Sequence, residues 1–216
     1  MVDSLIEFLR TLTNPDALRL ALTSVFSGWH GYALLFGIVF SETGLLAGFF
    51  LPGDSLLFTV GVVAGAGGLD IFAIILVLIA AAVIGDATGY LLGRKTGPKV
   101  FNRPNSKFFK REHLIRTHEF YEKHGGKTII YARFIPIVRT FAPFIAGVAG
   151  MNYGRFLSFN IFGGIGWVAS MTLLGYMLGD NEIVRKHFDK VIVGIVLLSV
   201  LPIVFEYLKG RVRTER

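Results

Sequence analysis

The chain has 216 residues, of which 53% are hydrophobic and only 17% are charged, against roughly 25% charged residues in an ordinary soluble domain. This composition argues against a disordered chain and against a soluble globule. The chain has no cysteine, which excludes disulfides, thiolate zinc sites, iron–sulfur clusters and cysteine nucleophiles. Its length is sufficient for one domain or two small ones.

The formal net charge of +7 comes from a single segment. Residues 94–127 contain ten Lys or Arg and three Glu, whereas the rest of the chain has twelve residues of each sign. Lys and Arg favour the cytoplasmic side of a membrane. We therefore expect the basic loop 94–127 and the basic tail 209–216 to be cytoplasmic, and the balanced connection 180–190 to lie outside.

Residues 1–28 predict amphipathic helices on the membrane surface rather than a signal peptide. Leu5, Leu9 and Leu12 fall at helical spacing, and acidic and basic residues interrupt them, which a signal peptide would not tolerate. The segment Asn14-Pro15-Asp16 then has the pattern of a second helix start, with a cap, a first-turn proline and an acidic first turn.

Five apolar tracts follow, and each approaches or exceeds the roughly 20 residues that a membrane-spanning helix needs. Five such tracts in a chain of this length leave too little polar surface for a soluble fold. The sequence therefore predicts an all-α integral membrane protein. The tracts are residues 29–67, 71–93, 127–150, 156–179 and 191–205.

Two of these tracts are interrupted by proline. The first is broken at Pro52-Gly53, and the tract 127–150 is broken at Pro136 and again at Pro143. Non-helical backbone at membrane depth survives only where protein or a watery cavity surrounds it. Each break therefore predicts a re-entrant hairpin whose tip, at Pro52 and Gly53 or at Pro136, faces the interior.

The two halves of the chain also resemble each other. Each has a proline break followed, at similar distance, by a Gly-Tyr-x-Leu-Gly segment, at residues 89–93 and 175–179. The charge-based topology places the two hairpins on opposite faces, which predicts an inverted repeat of hairpin plus transmembrane helix, a pointer to a transport site. Chance similarity of Gly-x-x-x-Gly packing motifs is the alternative.

The repeat defines the expected domain organisation. An N-terminal amphipathic region (1–28) precedes a membrane domain (29–208), and a basic tail (209–216) follows it. Within the membrane domain we expect repeat one at about 29–93, the loop at 94–127, repeat two at about 128–179 and a further C-terminal transmembrane helix at about 188–208.

Five charged residues lie inside the predicted membrane segments: Glu42, Asp54, Asp86, Arg133 and Arg139. Each costs about 2.5–3.5 kcal/mol at a helix centre on insertion scales, so they must be paired, hydrated or neutralised. If the hairpin tips meet at mid-depth, the two acids of the first hairpin, Glu42 and Asp54, can face the two arginines of the second.

These charges have a structural and a functional interpretation. Salt bridges could simply hold the two hairpins together. Alternatively, Arg133 and Arg139 hold an anion, most naturally a phosphate, in bidentate geometry, while Glu42 and Asp54 carry protons because apolar surroundings disfavour a charged carboxylate. Asp86 is a further candidate proton carrier, although near a helix end it could instead snorkel or cap.

Several ordered motifs resemble those of the DedA family of small membrane proteins. These are Phe-Ser-Glu-Thr at 40–43 with Leu-Pro-Gly-Asp at 51–54, the segment 85–93, and Tyr-Ala-Arg-Phe-Ile-Pro-Ile-Val-Arg-Thr at 131–140. The likeness covers about residues 29–205 and leaves the N-terminal 28 residues outside it.

The resemblance implies a bacterial or archaeal inner-membrane protein with two opposed re-entrant hairpins and a physiology linked to the proton motive force. It also implies a role in moving polyprenyl phosphate carriers or phospholipids between leaflets. The acids and arginines that this family treats as essential map onto Glu42, Asp54, Arg133 and Arg139.

The sequence thus predicts a non-enzymatic transporter of lipid phosphates, a flippase or scramblase, with membrane lipid and protons as its partners. We expect no cofactor, no metal and no nucleic acid, and the oligomeric state stays open. A proton-coupled exporter of small cationic solutes and a non-transport scaffold for membrane assembly are the alternatives. A membrane phosphatase is disfavoured because no nucleophile or metal cluster accompanies the arginines.

Overall fold

The computed structural model describes residues 15–45, 53–101, 129–130, 133, 136–187, 190–191 and 194. Within these ranges every regular element is an α-helix and no strand is present, which confirms the predicted all-α class. The helices are α1 (Pro15–Phe26), α2 (Gly28–Gly44), α3 (Gly53–Gly65), α4 (Ile71–Phe101), α5 (Pro136–Val148), α6 (Tyr153–Gly179) and α7 (Glu182–Lys186).

The first two helices meet at a sharp bend. α1 begins at Pro15, in agreement with the helix start that the sequence predicts there. It ends at Phe26, and across Ser27 the chain turns by 80° into α2. Leu20 and Val25 on α1 are exposed, as expected for a helix that lies against lipid. Residues 1–14 lie outside the described ranges.

Two of the described helices are long and apolar enough to cross a membrane. The apolar part of α4 is Ile71–Gly97 and that of α6 is Tyr153–Gly179, each 27 residues long, and the bent pair α1–α2 adds a third candidate. Large apolar side chains such as Phe72 and Phe162 are exposed on these long helices. Helices that are apolar all round require lipid or protein around them, so the described part of the chain has the helices of a membrane protein.

Each long helix follows a short one. α3 and α5 both have 13 residues, too few to cross a bilayer. A turn of the same type follows each of them. The N–H of Gly67 bonds to the carbonyl of Ala64 at 2.9 Å, and the N–H of Gly150 bonds to that of Gly147 at 3.1 Å. Gly67 and Gly150 have φ of 86° and 74°, which glycine adopts most readily at a helix C-terminus.

The chain forms two compact units, and both long helices contribute to each. The described residues of unit one lie within 1–35, 52–76 and 169–216. In this unit α3 packs against the end of α6 at van der Waals distance. A Cβ atom at Gly65 would overlap the main-chain oxygen of Tyr176, and one at Gly179 would overlap that of Val62. Small residues allow such close approach of membrane helices.

The described residues of unit two lie within 36–51 and 77–168. In this unit α5 packs against α4 through the same kind of contact. A Cβ atom at Gly147 would overlap the main-chain oxygen of Tyr90, and one at Gly93 would overlap that of Phe144. The Tyr90 hydroxyl also donates a hydrogen bond to the carbonyl of Met151, which ties α4 to the turn between α5 and α6.

Two boundaries differ from the sequence-based expectation. α4 continues through Arg94 to Phe101 although Gly97 and Pro98 lie in this stretch, because Arg and Lys are good helix formers and do not end a helix. Pro143 lies inside α5 rather than breaking it. A membrane helix tolerates an internal proline when its neighbours compensate, and Pro143 packs near Gly89 of α4.

Several predictions fall outside the described residues. These are the hairpin-tip residue Pro52, most of the basic loop 94–127 and nearly all of the C-terminal helix at about 188–208. The domain boundaries drawn from the sequence stay predictions.

Candidate functional site

The end of α2 and the first turns of α5 contribute one buried ion pair. Arg139 Nη2 donates to Glu42 Oε1, and the two residues are only 8% and 1% exposed. Next to Glu42, the hydroxyl of Thr43 donates to the carbonyl of Val39 at 2.9 Å, and Gly85 of α4 lies directly against Thr43. The close packing of α2 on α4 therefore fixes the position of Glu42.

Trp167 provides a second contact for Arg139. The Cζ atom of Arg139 lies 4.7 Å from the centroid of the Trp167 ring, and Trp167 itself is 1% exposed. A guanidinium over an aromatic face is attracted by the ring quadrupole, most strongly where water is excluded. Arg139 thus makes a cation–π contact with Trp167 of α6 and a salt bridge with Glu42 of α2.

Arg133 is the centre of a second buried group. Its Nη2 atom donates both to Asp86 Oδ2 on α4 and to Asn160 Oδ1 on α6. Arg133 and Asp86 are each 3% exposed. Asn160 in turn donates from Nδ2 to the carbonyl of Val83 at 3.0 Å. Two membrane helices therefore anchor this guanidinium through two hydrogen bonds, and a third bond joins the two helices to each other.

Two glycines of α6 make room for Arg133. A Cβ atom at Gly163 would lie 3.0 Å from Arg133 Cδ and 3.2 Å from its Nε, and one at Gly164 would lie 3.4 Å from Nη1. Arg133 can approach α6 this closely because neither residue has a side chain. The Nε atom of Arg133 is buried and has no hydrogen-bond partner among the described residues.

These two groups form one cluster. Arg133 lies against Gly163 of α6 and Arg139 lies over Trp167, one turn further along the same helix, so the two ion pairs are neighbours within unit two. We use the name arginine cluster for six residues. They are Glu42, Asp86, Arg133, Arg139, Asn160 and Trp167. With both acids ionised the formal charge of the cluster is zero, and with both acids protonated it is +2.

The structure also shows a pairing that the sequence did not predict. The carboxylate that contacts Arg133 belongs to Asp86. Asp54 lies in the first turn of α3, and the expectation that both acids of the first hairpin face the two arginines stays a prediction. The alternative in which Asp86 snorkels or caps a helix end is wrong, because α4 continues beyond it to Phe101 and buries its side chain.

The predicted hairpin-tip residues lie at helix starts where they are described. Gly53 is the first residue of α3 and Pro136 is the first residue of α5, as expected for residues that start a helix after a break. Their location at hairpin tips, and the transport roles of the acids and arginines, stay predictions. Among the described residues no group of three or more His, Asp or Glu side chains could hold a metal ion.

Sequence reasoning missed three members of the site. Asn160 is a polar residue in an apolar tract that has no charged residue. Because a polar group in hydrocarbon requires a hydrogen-bond partner, the sequence could have predicted that Asn160 contacts another polar side chain. Trp167 lies in the middle of α6, whereas membrane tryptophans concentrate at the interfaces. Gly163 gave no signal, since glycine is frequent in membrane helices.

Comparison with known proteins identifies the family. The VTT domain family matches residues 51–177, which run from just before α3 to near the end of α6. The chain is also 49% identical to Protein DedA of Escherichia coli strain K12 over 182 residues, 83% of each chain. The chain belongs to the DedA family of membrane proteins.

Two further relatives extend the comparison. Inner membrane protein YqjA of Escherichia coli strain K12 is 37% identical over 195 residues, which cover 90% of this chain and 84% of YqjA. An uncharacterised membrane protein of Mycobacterium leprae is 48% identical over 165 residues, 76% of this chain and 74% of the relative. No solved structure matches the chain. The DedA family resemblance inferred from the motifs is therefore confirmed.

Proposed function

We propose that this DedA family protein moves lipids with phosphate headgroups, polyprenyl phosphate carriers or phospholipids, between the leaflets of the inner membrane. The observation that carries the proposal is the burial of two neighbouring arginines, Arg133 and Arg139, in a unit made of apolar helices. The headgroup is the part of a lipid that resists crossing hydrocarbon, because moving a charge out of water is costly. A buried pair of guanidiniums lowers that cost while the tails stay in the bilayer.

Arginine suits this substrate better than lysine would. Its planar guanidinium presents N–H donors in a fixed fork that matches phosphate oxygens. The buried Nε of Arg133, which has no partner among the described residues, gains an acceptor when an anion approaches from that side. A buried donor left unsatisfied costs about 1–3 kcal/mol, and a bound phosphate would recover that energy.

The two carboxylates link the anion to protons. In the described state Glu42 and Asp86 each occupy a guanidinium, so a phosphate must compete with them. Protonation of either acid removes a negative charge and releases an arginine for the anion. We propose that proton entry and phosphate binding are thereby coupled, with Asp54 as a further proton-carrying residue in the other unit.

An inverted repeat would allow alternating access. In each half a 13-residue helix that begins at Gly53 or Pro136 precedes a long helix, and each short helix packs by close glycine contacts on the long helix of the other half. Both features support two related re-entrant hairpins whose relative rocking opens the site to each face in turn, as in other repeat-built transporters.

Reconstitution tests the proposal. Purified protein in liposomes is given labelled polyprenyl phosphate or labelled glycerophospholipid, with and without a pH gradient, and the accessible fraction of label in each leaflet is measured. We expect faster redistribution than in protein-free vesicles, and acceleration by the gradient. Equal rates in both vesicle types for every lipid would contradict transport and favour the membrane-assembly scaffold, while a gradient-independent rate would indicate a passive scramblase.

Matched lysine variants test the role of the arginines. Arg133→Lys and Arg139→Lys keep the charge but lose the planar fork, so each should slow lipid redistribution by about tenfold or more, the effect of losing a hydrogen bond to a charged group. Arg155→Lys, on the exposed start of α6, is the control and should leave the rate unchanged. In the alternative of a cation exporter the acids form the substrate site and the arginines are structural, so lysine variants that keep full activity would favour that alternative.

A further inference from the structure

We propose that Asn160 is a positioning residue that keeps Arg133 fixed and positively charged while Asp86 releases it. This inference rests on the proposed transport of lipid phosphates. It assigns a role to a side chain of α6 that has no charge of its own and contacts Arg133 directly.

The orientation of the Asn160 amide is determined by the main chain. Nδ2 donates to the carbonyl of Val83 at 3.0 Å, and only the amino end of the amide can make that bond. The oxygen end must therefore point to Arg133, where Oδ1 accepts a hydrogen bond from Nη2. The acceptor is held in place before any substrate arrives, and Arg133 retains it whatever happens at Asp86.

Asn160 accepts a hydrogen bond from Arg133 without adding a negative charge, which a carboxylate at position 160 would add. The charged groups that act on Arg133 in the described part of the chain are Asp86 and Arg139, and Arg139 is itself paired with Glu42. Protonation of Asp86 leaves Arg133 with a neutral partner, so its positive charge is then available to an anion. A second carboxylate at position 160 would have to be protonated as well.

The hydrogen-bond partner of Arg133 and the glycine that makes room for it lie on the same face of α6. Asn160 and Gly163 are three residues apart, a spacing that places side chains next to each other on a helix. Asn160 holds Nη2 of Arg133, while the missing side chain of Gly163 leaves space beside Nε. The guanidinium is therefore hydrogen-bonded to α6 at Nη2, and no side chain at position 163 covers the buried Nε.

Asn160→Asp tests the inference with almost no change in side-chain volume. At neutral pH the new carboxylate loses the donor to Val83 and adds a second negative charge next to Arg133, so lipid redistribution should fall by about tenfold or more. At acidic pH the protonated carboxyl regains an O–H donor and its neutrality. The ratio of variant to wild-type rate should therefore rise as the pH is lowered.

A charge swap provides the second variant. Asp86→Asn/Asn160→Asp keeps one carboxylate and one amide on Arg133, so its net charge is that of the wild type, and we expect its rate at neutral pH to exceed that of Asn160→Asp by about tenfold. Asn152→Asp is the control for an added charge. Asn152 is exposed and its Oδ1 accepts from the N–H of Arg155 at 3.2 Å, a role that aspartate retains.

The outcomes separate the two proposals. Failure of the wild-type protein to redistribute any lipid overturns the proposed function. A wild-type rate for folded Asn160→Asp at every pH overturns the positioning role alone. Asn160→Asp can also lose lipid redistribution while its thermal unfolding in detergent matches that of the wild type. If neither acidic pH nor the charge swap then restores the rate, Asn160 has a structural role only. If Asn160→Asp does not fold, the swap variant decides, and a folded but inactive swap overturns the positioning role.

Discussion

At the scale of single residues, Arg139 depends on two different partners, the charge of Glu42 and the ring of Trp167. Glu42 is nearly inaccessible to solvent, so removal of either charge takes away the opposite charge that its buried partner is bonded to. The magnitude of such an effect is known from soluble proteins, in which breaking a buried pair by removing one partner costs about 3–5 kcal/mol, although replacing both partners is often much less harmful.

We therefore predict strong non-additivity for this pair. Glu42→Gln and Arg139→Gln should each lower the free energy of unfolding in detergent by about 3 kcal/mol, and the double variant should lose clearly less than the sum. The chain has two tryptophans, and Trp29→Phe leaves Trp167 as the single fluorescent reporter beside Arg139. Additive losses in denaturant titrations followed by this fluorescence would show that the two charges are not coupled.

Single residues also show what the sequence could and could not predict. The charged members of the site stood out because charges in apolar tracts are costly, and Glu42, Arg133 and Arg139 were identified on that ground. The partner of Arg133 could not be chosen, because which of two acids contacts it depends on helix rotation and packing. Asp86 is the partner because α4 directs that side chain toward Arg133.

At the scale of elements, glycine determines how closely the short helices approach the long ones. A Cβ atom at Gly65 would overlap the main chain of α6, and one at Gly147 would overlap the main chain of α4. Main-chain atoms cannot rotate away as a flexible side chain does, so any larger residue must push the two helices apart. Overpacking of this kind costs typically about 1–3 kcal/mol.

We predict that Gly65→Ala and Gly147→Ala each destabilise the protein by about 1–3 kcal/mol, measured as a fall in unfolding free energy in detergent. Gly37→Ala is the matched control. Gly37 lies in α2, and a Cβ atom added there would have nothing within 4 Å of it, while alanine favours a helix over glycine by about 0.5–1 kcal/mol. The control should therefore be neutral or slightly stabilising. Equal behaviour of all three variants would contradict the close packing.

The elements were predicted better than their ends. Apolar length and the proline breaks identify the two long helices and the starts of α3 and α5 at Gly53 and Pro136. Composition alone could not predict that α4 continues past Arg94 or that α5 continues through Pro143. Both outcomes depend on neighbouring helices, since a basic residue does not end a helix, and the cost of an internal proline depends on local packing.

At the scale of the whole molecule, the charge distribution predicts the direction of the chain through the membrane. The excess positive charge lies in residues 94–127, which favours the cytoplasm. Between that loop and the connection 180–190 lie α5, with 13 residues, and α6, which is long enough to cross. If the segment before α6 is re-entrant, only α6 crosses, and the loop and the connection lie on opposite sides.

Cysteine labelling tests this topology directly, because the natural chain has no cysteine. We predict that a membrane-impermeant maleimide applied to intact spheroplasts labels His187→Cys but neither Lys110→Cys nor Arg213→Cys, and that permeabilisation exposes all three. The unsubstituted protein is the control for background. Labelling of positions 110 and 187 from the same side would mean that the segment before α6 also crosses the membrane. The second hairpin would then not be re-entrant, and the two halves would no longer be related as an inverted repeat.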